Sequence, residues 1–285
     1  MKTLSVLIAA FDARRWLGDC LDAVFAQSLP PGWRLQVLLG IDGCADTLDY
    51  VGTAPYADLR VVYLPRNRGT YVTFNTLMRF AEGEVIARFD ADDVMLDGYL
   101  RRHIEALEAG ADLSMSWSVY TDEALRPTSI VPALPDYRPE KGHRRKGTDG
   151  QFVARRHIWD RLGAFRAWPC GADTEFVIRA QAAGFATTVL EEFLYLRRTH
   201  GASLTTHPRT NYESDMRMRL QDLTIQYRED YAAGTRPVMV EAEVEASAVL
   251  AHPAAFSGVC AAFQAGRTTR TSAERDPVSA PAYAF

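Results

Sequence analysis

The sequence predicts an α/β fold in which a mixed, mainly parallel sheet is flanked by helices. Short apolar runs bounded by charged or turn residues are typical of buried strands. Such runs cover residues 4–11, 35–41, 59–64 and 84–89. Amphipathic segments with helical spacing, over 14–28 and 70–82, alternate with them. Because repeated strand–helix–strand units form parallel sheets with crossover helices, we expect most of this sheet to be parallel.

The order of elements changes after residue 97. The spacing predicts, in chain order, a helix over 99–107, a strand over 111–120, a mostly irregular segment over 121–150, a helix over 173–183, a strand over 186–196 and a helix over 210–230. Residues after 266 lack apolar periodicity, so we expect a disordered tail over 267–285. We therefore divide the chain into a main domain over 1–208, a C-terminal helical extension over 209–266 and this tail. No motif explains the role of residues 235–285.

Length and charge limit the classes of partner. The 285 residues suffice for one large domain with a modest extension. The formal net charge of -4 gives no whole-molecule attraction for nucleic acid or an anionic membrane. Any binding to a polyanion would have to come from a local basic patch.

The spacing of the cysteines and the length of the apolar runs indicate the cellular compartment of the protein. The cysteines are widely separated and form no pair with CxxC spacing, which argues against a disulfide framework or a structural zinc and fits a reducing cytosol. No apolar run is long enough for a signal peptide core or a transmembrane helix. We expect a cytoplasmic protein without a transmembrane segment, and peripheral contact with a membrane stays open.

An acidic cluster follows the fourth predicted strand. Asp90, Asp92 and Asp93 place three carboxylates within four residues. Like charges so close repel, and a cation that neutralises them relieves the repulsion. Oxygen ligands favour Mg2+ or Mn2+, which bind through one or two carboxylates plus substrate phosphates. The alternative is a solvated acidic turn, since Asp is common at turns and helix starts. Asp42 also ends a predicted strand, so it should face the same crevice as Asp90.

Two later groups could add chemistry to this crevice. Asp173 and Glu175 open a predicted helix, where carboxylates often serve only the helix dipole. The functional interpretation makes Asp173 a general base for an acceptor hydroxyl. Arg198, His200 and Ser203 follow the last predicted strand, although a lone His is more often a hydrogen-bonded surface residue than a ligand.

The segment from Arg138 to Lys146 carries five Lys or Arg among nine residues. Most such runs are solvated faces. This one lies in the longest irregular segment, so Arg144, Arg145 and Lys146 could instead contact phosphates of an acceptor.

Four motifs in this order resemble the family-2 glycosyltransferases of the GT-A fold. They are Ala9-Ala-Phe-Asp12, Ile41-Asp-Gly-Cys-Ala-Asp46, Asn67-Arg-Gly69 and Gly83-Glu-Val-Ile-Ala-Arg-Phe-Asp-Ala-Asp-Asp93. The last is the most specific, and the resemblance covers roughly residues 3–205. It implies a Rossmann-like sheet with a nucleotide-sugar-binding half over 1–95 and an acceptor and catalytic half over 96–208.

The resemblance also implies roles for individual residues. Asp42 would bind the nucleotide base, Asp173 would be the catalytic base, and Mn2+ or Mg2+ would be the cofactor. The implied donor-binding residues are Ala9, Phe11, Asp12, Asp42, Asn67, Gly69, Asp90, Ala91 and Arg198. The implied metal ligands are Asp92, Asp90 and His200. The residues expected to contact the acceptor are Asp93 and Glu175, together with Arg144, Arg145 and Lys146 of the basic segment.

The sequence departs from the family pattern at three places. Ala9-Ala10 replaces Pro-Thr, Ile41 replaces the first Asp of the base-binding pair, and Ala172 stands where many members carry Glu. The first two put the identity of the base in question. The third could remove a contact to the acceptor or leaving group.

The resemblance implies inverting, metal-dependent transfer of a sugar from a nucleotide sugar, with a UDP-sugar favoured, to an acceptor hydroxyl. A surface or lipid-linked glycan is the favoured acceptor. One alternative is a phage enzyme that glycosylates hydroxymethylated DNA. Others are a nucleotidyltransferase and a non-catalytic nucleotide-sugar-binding relative. The Gly-rich phosphate loops of many nucleotide binders are absent from the sequence.

Overall fold

The computed structural model describes residues 1–131 and 150–256. The basic residues 138–146 and the tail 267–285 lie outside the described residues. The described strands are β1 (Lys2–Ala10), β2 (Trp33–Asp42), β3 (Leu59–Leu64), β4 (Val85–Asp90), β5 (Val94–Met95), β6 (Leu113–Thr121), β7 (Pro127–Val131), β8 (Phe152–Arg155), β9 (Thr187–Arg198) and β10 (Val249–Ala251). The described α-helices are α1 (Leu17–Phe25), α2 (Ala45–Gly52), α3 (Thr70–Met78), α4 (Tyr99–Glu108), α5 (His157–Leu162), α6 (Ala172–Ala182) and α7 (Asp215–Ala232).

These strands form one sheet in the order β10-β3-β2-β1-β4-β8-β6-β9-β5, with β7 paired to β6. The four strands predicted in the first ninety residues are parallel, in the order β3-β2-β1-β4. The short strand β8 runs antiparallel between β4 and β6 and joins the two parts of the sheet. The longest ladders, β1 with β2 and β6 with β9, are parallel. The predicted fold class, a mixed and mainly parallel α/β sheet, is confirmed.

Helices cover both faces of the sheet because successive side chains of a strand point to opposite faces. On β1, Leu4, Val6 and Ile8 pack into one core with α1, α2 and α4. Leu7 points the other way and packs into a second core with α3, α5 and α6. The buried strands therefore read as continuous apolar runs, as expected for a sheet covered on both faces.

Several short elements differ from the sequence prediction. The segment predicted as mostly irregular contains β7, which pairs with β6. The periodicity also did not indicate α2, β8 or α5, which have only four to eight residues. The predicted helical extension contains α7, but it also supplies β10, which extends the sheet antiparallel to β3. Within the described ranges, no helix combines the length and apolar character that crossing a bilayer requires.

Candidate active site

The candidate site lies where β1, β2 and β4 end. The register pairs Ala9 of β1 with Gly40 of β2 on one side and with Asp90 of β4 on the other. Because parallel strands end at one edge, the segments after these strands meet there, as expected for ligand sites in such sheets. Beside this edge is an open cleft of about 700 Å³. It is lined by Asp12, Arg14, Arg15, Trp16, Asp46, Tyr50, Glu123, His200, Gly201 and Ala202.

Asp42, expected to bind the nucleotide base, is bonded within the chain. Its two carboxylate oxygens accept hydrogen bonds from the backbone N–H groups of Arg68, at 2.6 Å, and Gly69, at 2.8 Å. The residue is only 3% exposed, and burial raises its pKa to about 6 against the opposing effect of these donors. Asp42 therefore holds the loop after β3 onto the end of β2, and the structure does not place its carboxylate on the cleft surface.

Asp90 is neutralised by a buried arginine. Arg88, also on β4, forms a bidentate pair with it, with Nη2–Oδ1 at 2.8 Å and Nη1–Oδ2 at 3.0 Å. Gln151 Nε2 donates a further hydrogen bond to Asp90 Oδ2 at 2.8 Å. The Asp90 side chain is 33% exposed, but three contacts already engage its carboxylate, so it is a poorer candidate for a metal ligand than its neighbour Asp92.

Asp93, expected to contact the acceptor, points into the protein and is 2% exposed. It accepts hydrogen bonds from Gln151 Nε2, at 2.5 Å, and from the backbone N–H of Arg198, at 2.9 Å. Burial raises the pKa of its carboxyl well above the ordinary value. The structure gives Asp93 an internal role: it joins β4, β8 and β9.

Asp92 and His200 form a contacting pair, and His200 lines the cleft although only 5% of its side chain is exposed. Asp92 Oδ2 lies 2.9 Å from His200 Nε2, and the Asp92 side chain is 27% exposed. The His200 ring stacks on Trp16 with 3.6 Å between ring centroids. A carboxylate and an imidazole suit a divalent metal whose other ligands are phosphate oxygens and water. Within the described residues, no three His, Cys, Asp or Glu side chains form a complete metal site.

Arg198, expected to bind the donor, is held by three protein groups. Its guanidinium donates to the backbone oxygens of Asp92, at 2.9 Å, and Glu123, at 2.5 Å, and pairs with Asp19 at 2.6 Å. The residue is 5% exposed. Arg198 thus fixes the backbone on which Asp92 sits, and each nitrogen of its guanidinium has a protein partner.

Asp173 lies at the start of α6, facing the acidic cluster. Its Oδ2 is 4.0 Å from Arg88 Nη2, so the guanidinium that clamps Asp90 also faces Asp173. Asp173 Oδ1 accepts a hydrogen bond from the backbone N–H of Thr174 at 2.8 Å, and its side chain remains 17% exposed. Gly150 packs against it so closely that an added Cβ would lie 2.5 Å from Asp173 Oδ2. The structure therefore brings Asp173 to the cluster.

Glu175, expected to contact the acceptor, is fully buried in the same first turn of α6 as Asp173. Its carboxylate pairs with Arg166 and Arg179, each at 3.1 Å. It also accepts a hydrogen bond from the hydroxyl of Tyr231 on α7 at 2.6 Å. Because both oxygens are engaged away from solvent, Glu175 ties α6 to α7 and does not face an acceptor.

The remaining expected residues lie on the segments that follow β1, β3 and β4. Phe11 is 55% exposed beside the cleft residue Asp12, and Ala91 is buried between Asp90 and Asp92. Asn67 and Gly69 lie on the loop held by Asp42, and Asn67 Oδ1 accepts a hydrogen bond from the Gly69 N–H at 3.0 Å.

Sequence reasoning missed Arg88, Gln151 and Trp16 as members of the site. A charge inside the otherwise apolar strand Val-Ile-Ala-Arg-Phe was the available signal for Arg88. Gln151 had none, because it reaches the cluster only through the antiparallel pairing of β8. The expected residues Arg144, Arg145 and Lys146 lie outside the described residues.

Comparisons with known proteins identify the family of the chain. A family model described as glycosyl transferase family 2 matches residues 5–173. EpsE of Bacillus subtilis (strain 168), a protein assigned as a glycosyltransferase, is 24% identical over 205 residues, which cover 67% of this chain and 71% of EpsE.

Two solved structures show the same fold. TarS 1-349 of S. aureus in complex with UDP-GlcNAc is 17% identical with a TM-score of 0.59, over 82% of this chain and 71% of that one. The mannosyltransferase PcManGT of Pyrobaculum calidifontis, in complex with GDP-Man and Mn2+, is 14% identical with a TM-score of 0.55, over 92% of this chain and 75% of that one. Since the family model spans more than half of the sequence, the chain belongs to glycosyl transferase family 2 and is a glycosyltransferase with the GT-A fold.

Proposed function

We propose that the chain transfers a sugar from a nucleoside diphosphate sugar to an acceptor hydroxyl, in a metal-dependent reaction that inverts the anomeric carbon. The observation that carries this proposal is the position of Arg88 between Asp90 and Asp173. It brings a carboxylate suited to be a base into one site with the contacting pair Asp92 and His200. The complexes of TarS with UDP-GlcNAc and of PcManGT with GDP-Man support a donor of this class.

Asp92 and His200 are the residues that would hold Mn2+ or Mg2+, the cofactors that the resemblance implies. When bound, such an ion supplies positive charge that offsets the charge gathering on the departing diphosphate. The Mn2+ in the PcManGT complex supports a divalent metal. The clamp by Arg88 leaves Asp90 better suited to contact the donor than to be the main metal ligand.

Asp173 would act as the general base. An acceptor hydroxyl is a weak nucleophile, so a carboxylate that takes its proton helps it to attack. The acceptor oxygen forms the new bond to the anomeric carbon while the bond from that carbon to the diphosphate oxygen breaks. The electron pair leaves with the nucleoside diphosphate, and the proton passes to Asp173. A single displacement from the face opposite the leaving group inverts the anomeric centre.

The donor side of the site would use the edge beside β1. The exposed ring of Phe11 offers an apolar face on which a base can stack. The Ala9 backbone, Asp12, Asn67 and Gly69 complete the proposed contacts. We favour a UDP-sugar, and a surface or lipid-linked glycan as the acceptor.

Replacing the base tests the mechanism. Asp173→Asn keeps the size of the side chain but removes the proton acceptor, so we expect sugar transfer to fall by at least about a hundredfold. Nucleotide affinity should stay nearly unchanged, because Asp173 belongs to the acceptor side. The measurement is product formation with a panel of UDP-, GDP-, dTDP- and CMP-sugars, plus calorimetric binding of the matching nucleotide. Asp160→Asn, on the exposed side of α5, is the matched control. Near-normal turnover by Asp173→Asn would show that another group is the base.

A further inference from the structure

Residues 238–247, here named the C-terminal strap, follow the part of the sequence that the family model matches, residues 5–173. One end of the strap is tied to the helices of the catalytic side. The Val238 carbonyl accepts a hydrogen bond from Arg179 Nη1 of α6 at 3.1 Å, and the Val240 N–H donates to the Leu162 carbonyl of α5 at 2.8 Å. This end is therefore fixed to the helix that carries Asp173.

The other end of the strap lies on α3. Asn75 Nδ2 donates to the Glu243 carbonyl at 3.2 Å, and the Glu245 N–H donates to Thr76 Oγ1 at 2.9 Å. Both α3 side chains are buried, so these bonds are shielded from water. The backbone at Glu243 and Glu245 is thus held beside the loop that connects β3 to α3.

Two carboxylates of the strap pair with two arginines of that loop. Glu243 Oε1 lies 2.7 Å from Arg68 Nη2, and Glu245 Oε2 lies 3.3 Å from Arg66 Nε and 3.8 Å from Arg68 Nε. The Glu245 side chain is 7% exposed. Its Oε1 accepts a hydrogen bond from Ser247 Oγ at 2.6 Å, and this bond is the main cause that lowers the Glu245 pKa. Glu245 is therefore an oriented charge, unlike the exposed Glu243.

The same loop, residues 65–69, is bound on its other side by Asp42 and packed on Gly43. The Arg68 and Gly69 N–H groups donate to Asp42, and a Cβ added to Gly43 would lie 2.4 Å from the Arg66 carbonyl carbon. The loop is thus enclosed by β2 on one side and by the strap on the other. It carries Asn67 and Gly69, which the proposed function assigns to the donor.

We propose that Glu245 is a positioning residue for the donor: by pairing with Arg66 and Arg68 it fixes the loop 65–69 in the conformation that presents Asn67 and Gly69 to the nucleotide. The inference rests on the proposed function for its link to the donor. It gives residues beyond the matched family region a part in donor binding. The strap also connects this loop to α6, so the donor and base sides of the site share one support.

The test compares Glu245→Gln with Glu241→Gln in the full chain. Glu241 is an exposed strap residue and serves as the control for loss of one negative charge. The probes are UDP and GDP, each with Mn2+, measured by calorimetry. We expect Glu245→Gln to weaken binding of the preferred nucleotide about fivefold. The KM for the donor should rise in step while kcat at saturating donor changes less than about twofold. Glu241→Gln should match the parent, and equal nucleotide affinity in all three proteins would overturn the proposal.

A second variant guards against a general loss of folding. Arg66→Gln changes a side chain that is 68% exposed and should weaken nucleotide binding in the same direction. If the pair acts as a unit, the double variant will be no weaker than the more affected single variant. Additive losses would overturn the role of this pair.

Hydrogen exchange of the Arg68 and Gly69 amides in the free protein tests whether Glu245 fixes the loop 65–69, independently of nucleotide binding. Faster exchange in Glu245→Gln but not in Glu241→Gln supports positioning, and unchanged exchange contradicts it. Failure of the parent protein to bind any nucleotide would count against the proposed function alone. The exchange measurement needs no nucleotide, so it would still show whether Glu245 fixes the loop 65–69.

Discussion

Asp42 and Asp92 are aspartates at the same edge of the sheet with opposite surroundings. Asp42 ends β2, is 3% exposed and gives both oxygens to backbone N–H groups. Asp92 lies just beyond β4, has a side chain that is 27% exposed and contacts His200. A carboxylate whose lone pairs are satisfied by the chain shapes the site, whereas one that is partly open can bind a ligand. Position in a motif does not by itself distinguish the two roles.

The largest expected effect concerns the open carboxylate. Asp92→Asn removes the charge that faces His200, so we expect metal-dependent nucleotide binding and sugar transfer to fall by about a hundredfold or more. Thermal stability should hardly change, because a partly exposed side chain contributes little to it. Metal titrations followed by calorimetry, with the exposed neighbour variant Asp97→Asn as control, provide the check. Unchanged metal dependence would remove the distinction between the two aspartates.

The next effect concerns the most enclosed carboxylate, Glu175. Glu175→Gln leaves Arg166 and Arg179 without a buried counter-charge, so we expect a loss of about 3 kcal/mol in the free energy of unfolding. Urea unfolding measures this, and Glu191→Gln at an exposed position of β9 is the control. The folded fraction of Glu175→Gln should bind the metal with the same affinity as the parent protein. A stable variant with weakened acceptor binding would instead restore the role expected from the sequence.

A smaller effect is expected at Asp42. In Asp42→Asn the side chain has one oxygen, so it can accept a hydrogen bond from only one of the two backbone N–H groups. We therefore expect the free energy of unfolding at pH 7 to fall by about 1–2 kcal/mol. Asp58→Asn, on the exposed surface before β3, is the control. Equal stability of the variant and the parent would mean that the two N–H bonds do not hold the loop.

The same residue also predicts a dependence of stability on pH. Burial raises the Asp42 pKa from 3.8 in the unfolded chain to about 6. The folded state therefore binds more protons between these values, and the Asp42 contribution to stability falls as pH rises from about 4 to about 6. Unfolding curves across this range should show a shallower fall for Asp42→Asn than for the parent. Identical slopes would show that Asp42 is not the group responsible.

The strand pattern of the first ninety residues could be predicted because apolar runs and helical spacing are local signals. The acidic cluster could be placed at the crevice because ligands gather at the ends of parallel strands, and the family resemblance added Asp173 to it. Local signals do not report on orientation, however. Asp92 and Asp93 are adjacent, and only the pairing of β8 and β9 decides that Asp93 points inward.

Glu175 illustrates the same limit on α6. Its spacing from Asp173 suggested a shared role, but its partner Tyr231 lies 56 residues along the chain, on a helix whose packing the sequence does not indicate. Contacts between distant segments are set by how the layers pack. They decide which of the residues with suitable chemistry face the cleft.

The antiparallel strand β8 has a consequence for any attempt to divide this enzyme. It bonds to β4 on one side and to β6 on the other, so the half that would bind the nucleotide and the half that carries Asp173 form one hydrogen-bonded sheet. Separate expression of residues 1–95 would leave β4 with a bare edge of unpaired N–H and C=O groups. Such edges recruit other chains and lead to aggregation. The two halves are therefore one cooperative unit for expression and for unfolding.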